Sequence, residues 1–149
     1  MARFSAGART TAGTNARPMM SVYSGAASTG TLREVGVFNT TATAVEIGIS
    51  RLSTTGTQGA SITPVSFNVK KPPAVCTAHT THTADATATI TGYRAVLGAA
   101  VGSGVIWTFG DDGLTIGILD AVELVTNGIG VILLTGTGQI CQTYMIWDE

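Results

Sequence analysis

The sequence predicts an all-β fold, an antiparallel jelly-roll-like β-sandwich of about eight or nine strands preceded by an extended N-terminal arm. Three observations lead there. Beyond residue 20, apolar residues recur with a period of two almost everywhere. No segment keeps a capped helical period over three turns, and the one weak candidate, 93–101, is crowded by Gly92, Gly98 and Gly102. Short apolar runs alternate with Gly- and Asn-rich turns at regular spacing. Residues 1–19 read as the arm and 20–149 as one sandwich domain. A chain of 149 residues buries roughly 70% of its unfolded surface in one core, so stability requires neither a metal nor a disulfide.

The first twenty residues carry Arg3, Arg9 and Arg17 but no acid, and no apolar run of the kind a secretory signal has. Their Arg, Ser, Thr and Ala content mimics an organellar transit peptide in composition. Such a segment stays ordered only when something ties it down. The expectation is an assembly arm lying on a neighbouring subunit, its three arginines meeting carboxylates there. An arm folded back along its own domain is the alternative.

Strands are then expected at 20–24 and 32–39. In Val45–Leu52, Val45, Ile47 and Ile49 alternate with Glu46, Gly48 and Ser50, the pattern of a half-buried strand. Residues 53–73, with Gly56, Gly59, Pro64, Pro72 and Pro73, read as a long loop, and 75–83 and 90–97 as strands. Val105, Trp107 and Phe109 share one face, as do Leu114, Ile116 and Ile118. Gly110-Asp111-Asp112-Gly113 between them reads as a hairpin turn, without the alternating acids of a calcium loop. Ile129, Val131 and Leu133 make another strand, and Gly136-Thr137-Gly138 leads into the last, 140–147. That last strand is apolar on both faces, so it is buried on both sides or packed across a subunit interface. Trp107, Tyr144 and Trp147 belong to strand patterns and are expected in the core or at subunit contacts, not in a ligand pocket.

Composition narrows the function. Only 11% of the residues are charged and 44% are hydrophobic, against about 25% charged in an ordinary domain. A free monomer this poor in charge is badly protected against association, so the chain reads first as a structural, self-associating protein. All eight Lys and Arg lie at or before Arg94, with three acids, and six acids and no base follow it: net +5 (8 − 3) and −6, summing to −1. That asymmetry suggests complementary surfaces meeting in an assembly, unless early and late strands interleave and cancel it. The uncharged stretch between Arg94 and Asp111 is sixteen residues broken by glycines, short of the about 20 apolar residues of a membrane span. No membrane is implied.

Catalytic and ligand-binding signals are sparse. His79 and His82 stand three apart, on opposite faces of a strand, with no Cys or carboxylate beside them to complete a metal set. Cys76 and Cys141 could bridge if their strands are neighbours, although buried free thiols are the better reading. Gly136-Thr137-Gly138 precedes a strand rather than a helix and offers no phosphate cradle. No cofactor, metal or catalytic residue is expected, and the chain does not read as an enzyme. A pI near 6.1 and two lysines speak against nucleic-acid binding, the Arg-bearing arm being the one element able to touch phosphates.

Four runs resemble a known group: LREVGVFNTTATAV (32–45), RLSTTGTQGAS (51–61), GYRAVLGAAVGSGVIWTFGDDGL (92–114) and NGIGVILLTGTGQ (127–139). They are similar to small β-rich virion proteins encoded by tailed bacteriophages. The resemblance implies a jelly-roll-like protein that forms a homotrimer and sits on the capsid as decoration or cement. Its partners would be itself and the major capsid protein, and its place the virion, assembled in the host cytoplasm. A tail, spike or neck component, or a carbohydrate- or receptor-binding sandwich, are the other readings.

Overall fold

A computed structural model describes residues 1–25, 28–70, 72–117 and 127–149. The described residues contain no helix and twelve strands. These are β1 (Arg3–Arg9), β2 (Pro18–Tyr23), β3 (Gly30–Asn39), β4 (Val45–Leu52), β5 (Ser61–Ile62) and β6 (Val65–Ser66). After them come β7 (Thr77–His79), β8 (Ala88–Leu97), β9 (Gly104–Thr108), β10 (Leu114–Ile116), β11 (Gly128–Thr135) and β12 (Cys141–Asp148). They form two antiparallel sheets. The first runs β10-β3-β12-β1-β6 with β9 also on β3, and the second runs β5-β7-β2-β11-β4-β8. The all-β, two-sheet reading of the sequence holds. The named strands outnumber the eight or nine expected because β5, β6, β7 and β10 are only two or three residues long.

Period-two alternation builds the core. Phe4 and Ala6 of β1, Leu32, Val35 and Val37 of β3, and Met145 and Trp147 of β12 point inward from the first sheet. Met20 and Val22, Ile47 and Ile49, and Ile129, Val131 and Leu133 meet them from the second. Each of these is 3% exposed or less, and burying a large apolar side chain contributes about 1.5–3 kcal/mol.

Three expectations are corrected. The N-terminal segment is not an arm on a neighbour: β1 pairs along its whole length with β12, from Arg3↔Asp148 to Arg9↔Gln142, and Phe4 lies in the core. The segment Gly110–Gly113 is not a hairpin turn. β9 and β10 both run antiparallel to β3, opposite 34–38 and 30–32, so the chain continues in one direction along a single edge. Gly110 and Gly113 take positive φ, 64° and 62°, which lets the backbone bulge outward and rejoin that edge. The expected long loop 53–73 includes β5 and β6, while the strand expected at 75–83 shortens to β7. Ile118 of the expected Leu114–Ile116–Ile118 face lies outside the described residues.

Candidate functional site

The three arginines assigned to an assembly arm have separate fates. Arg3 donates through Nε to Asp148 Oδ1 (2.7 Å) and through Nη2 to Oδ2 (3.0 Å). Arg33 of β3 reaches the same carboxylate, Nε to Oδ2 at 2.7 Å, and its Nη1 also donates to the carbonyls of Gly110 and Asp111. Arg17 pairs with Asp85 at 2.6 Å on the surface, and Arg9 is exposed on the outer side of the first sheet beside Gln142. An early arginine therefore meets a late acid within one chain, which cancels part of the charge asymmetry along the sequence. The Asp148 side chain is 8% exposed. The Arg3 hydrogen bonds, then those of Arg33, hold its carboxyl below the usual range despite burial. Asp148→Asn keeps the shape and removes the charge. It is expected to cost about 1–3 kcal/mol, read as a lower urea midpoint with an unchanged slope. A wild-type midpoint would show that the two arginines lose nothing.

The aromatics divide likewise. Trp147 is fully buried, stacked on Phe4 with centroids 6.1 Å apart. Trp107 is half-buried at the rim of the core, together with Val105 and Phe109. Tyr144 points the other way, onto the outer face of the first sheet, where cross-strand neighbours align as Gly7–Tyr144–Gly36–Ile106. The glycines there are a steric requirement: a Cβ at Gly36 would overlap the Tyr144 ring, and one at Gly104 the Phe38 ring. Both rings lie flat across the adjacent strand. Tyr144 Oη donates to Glu34 Oε1 at 2.7 Å, and burial together with that carboxylate raises the phenol to about 12. Ile106 is 52% exposed, and Phe38, Tyr144 and Ile146 are half-buried. The last strand is not buried on both sides within one chain: one face is core and the other is accessible, which leaves the alternative of packing across a subunit interface.

A second cluster lies on the outer face of the second sheet. Because Met20 and Val22 face inward, Ser21 and Tyr23 face out. The chain after β7 turns back over them: His82 N donates to Pro18 O (2.8 Å) and Thr83 N to Thr57 O (2.9 Å). His82 Nε2 lies 2.8 Å from Ser21 Oγ, its ring stacks on Tyr23, and Tyr23 Oη donates to Thr54 O. Tyr23, Leu52 and Ala86 form a small second core beneath this strap. A Ser–His contact invites comparison with a nucleophile and its base. Ser21 is fully buried, and among the described residues no third group accepts from His82 Nδ1 as a catalytic triad would require. Burial first, then the nearby His79 charge, lowers His82 to about 4. This arrangement fastens the strap and gives a substrate no access to Ser21. Sequence reasoning missed it because Ser21 and His82 are 61 residues apart.

Cys76 and Cys141 are both free and buried. Burial pushes both thiols up, Cys141 to about 11, with Glu149 adding to the rise at Cys76. No group of three His, Cys, Asp or Glu stands close enough to hold a metal among the described residues. No helix among them is long and apolar enough to cross a membrane. No family model, no curated protein and no solved structure matches this chain.

Proposed function

We propose that the chain is a structural virion protein, a jelly-roll subunit that decorates or cements the capsid of a tailed bacteriophage as a homotrimer. Strand order supports the jelly roll. With the four shortest strands set aside, β9-β3-β12-β1 faces β2-β11-β4-β8. Two four-stranded sheets in this order are compatible with a jelly roll, a fold used by viral capsid domains and also by lectins and cupins. Fold alone does not choose among those uses.

The observation that carries the virion reading is the outer face of the first sheet. It carries an apolar band of Ile106, Phe38, Tyr144 and Ile146, floored by glycines, beside the polar Glu34, Gln142 and Arg9. Such a face suits another protein surface, such as the shell built by a major capsid protein. The poverty of charge, 11%, supports the same reading, since surfaces of this kind are normally covered. A sugar-binding sandwich would use exposed tryptophan platforms, whereas Trp147 is fully buried and Trp107 packs half-buried against the rim of the core.

Particles purified from the infected or induced host that encodes the chain test the reading by imaging and by co-sedimentation. Regular density on the capsid lattice containing this protein is the expected result. Density confined to the tail, spike or neck would select that alternative, and particles free of the protein would end the virion reading.

A further inference from the structure

Among the apolar surfaces that neither the core nor the first sheet's outer face uses, two stand out. The first is a knob just beyond β6. Val69 is 95% exposed and Phe67 60%, yet the backbone that carries them is fixed. Ser66 Oγ donates to Asn68 O and accepts from Asn68 N, Lys70 N donates to Asn68 Oδ1, and Phe67 N donates to Arg3 O. A rigid turn holding two large apolar side chains in water is costly unless something covers them.

The second feature is a groove of about 440 Å³ on the outer face of the second sheet, lined by Ala86, Ala88, Ile90, Ile132 and Leu134, with Asp85 at its rim. One wall is β8, which among the described residues pairs only with β4. The lip includes Ala16, the one non-glycine residue with positive φ among those described, at 65°. Backbone strain of this kind persists where surrounding structure enforces it, often at a contact site.

We propose that the occupant of the groove is a second copy of this chain, its Phe67–Val69 knob seated against Ile90 and Ile132 and its Lys70 beside Asp85. Charge complementarity selects this occupant. Lys70 is an exposed cation next to the knob, and the Asp85 side chain is 71% exposed while holding only Arg17 among the described residues. The knob cannot fill its own groove, because β6 and β8 end opposite edges of the two sheets: β6 lies beyond β1, and β8 lies on the β9 side. The contact joins two different surfaces and is therefore heterologous, and a heterologous contact that closes makes a ring. Three copies in a ring would satisfy every knob and every groove. This deepens the homotrimer of the proposed function and rests on it.

The test uses the full chain. Val69→Cys and Ala88→Cys proteins are purified separately, reduced, then mixed under oxidised glutathione. The mixture is expected to give a disulfide-linked dimer on a non-reducing gel, while either protein alone gives none. The double variant is expected to give a covalent ring of three. Charge reversal supplies a second readout: Lys70→Glu should raise the concentration at which the oligomer dissociates by about fivefold, and adding Asp85→Lys should restore it. An oligomer that forms no cross-link and ignores the charge reversals would overturn the knob-in-groove contact while leaving the trimer standing. A monomer at every concentration would overturn both, and co-sedimentation with particles reports separately on the virion role.

Discussion

Trp147→Ala is expected to be the most damaging single substitution in this chain, costing about 3–5 kcal/mol. The side chain is fully buried, stacks on Phe4 and donates from Nε1 to Glu149 Oε2 at 3.3 Å. It thus links β1 to β12 where both chain ends meet, since Ala2 and Glu149 exchange backbone hydrogen bonds there. The Glu149 carboxylate also accepts from the backbone N–H of Val75 and Cys76, so the loss should loosen that segment too. Against a total stability of about 5–15 kcal/mol, most molecules should unfold well below the wild-type thermal midpoint. Trp107→Ala should cost less, because Trp107 is half-exposed at the rim of the core. Thermal melts of the two variants check the ranking. Equal midpoints, or a milder effect at Trp147, would contradict the placement of these rings.

The second large effect is acid lability centred on His82. Its pKa is about 4 in the fold against an ordinary 6.5, so the buried ring is neutral in the native state. As pH falls below 6.5, the unfolded chain takes up a proton that the native chain refuses. Stability is therefore full above about pH 6.5, declines as pH drops towards 4, and the loss is complete below that. The gap corresponds to about 3 kcal/mol. Asp148 acts in a lower window. Its pKa is depressed in the fold, so its contribution is present above the usual carboxylate range and fades as pH falls below it. Urea unfolding at steps from pH 7 to 4 should show the decline in the wild type and a much flatter curve for His82→Gln. Parallel curves would mean that the strap opens or that water reaches the imidazole.

How legible the molecule is from its sequence varies with the range of the interaction. Val45–Leu52 is a strand with the bounds that its alternation predicts. The Val105–Trp107–Phe109 face meets the core while Ile106 stays outside, as the pattern predicts. The RFSAGAR segment has the same alternation in Phe4 and Ala6, but its small, polar surroundings read as an arm. What makes it a strand is β12, which lies 145 residues away at the Arg3–Asp148 pair. The Gly110–Gly113 segment reads as a reversal and proves to be a bulge, because β3 is long enough to pair β9 and β10 in succession. Within 53–73, the alternation Val65–Phe67–Val69 was the available signal for an apolar knob, and the flanking prolines obscured it.

By itself the sequence determined the strand class and the inward side of the long strands. Those properties follow from a period of two residues and from transfer of apolar side chains out of water, both of which act locally. Only the tertiary structure decided which strand lies beside which, that Ser21 meets His82, and that Asp148 is shared by Arg3 and Arg33. Backbone hydrogen bonds are alike along every strand and carry no address, so partners distant in sequence are chosen by the packing of the whole core.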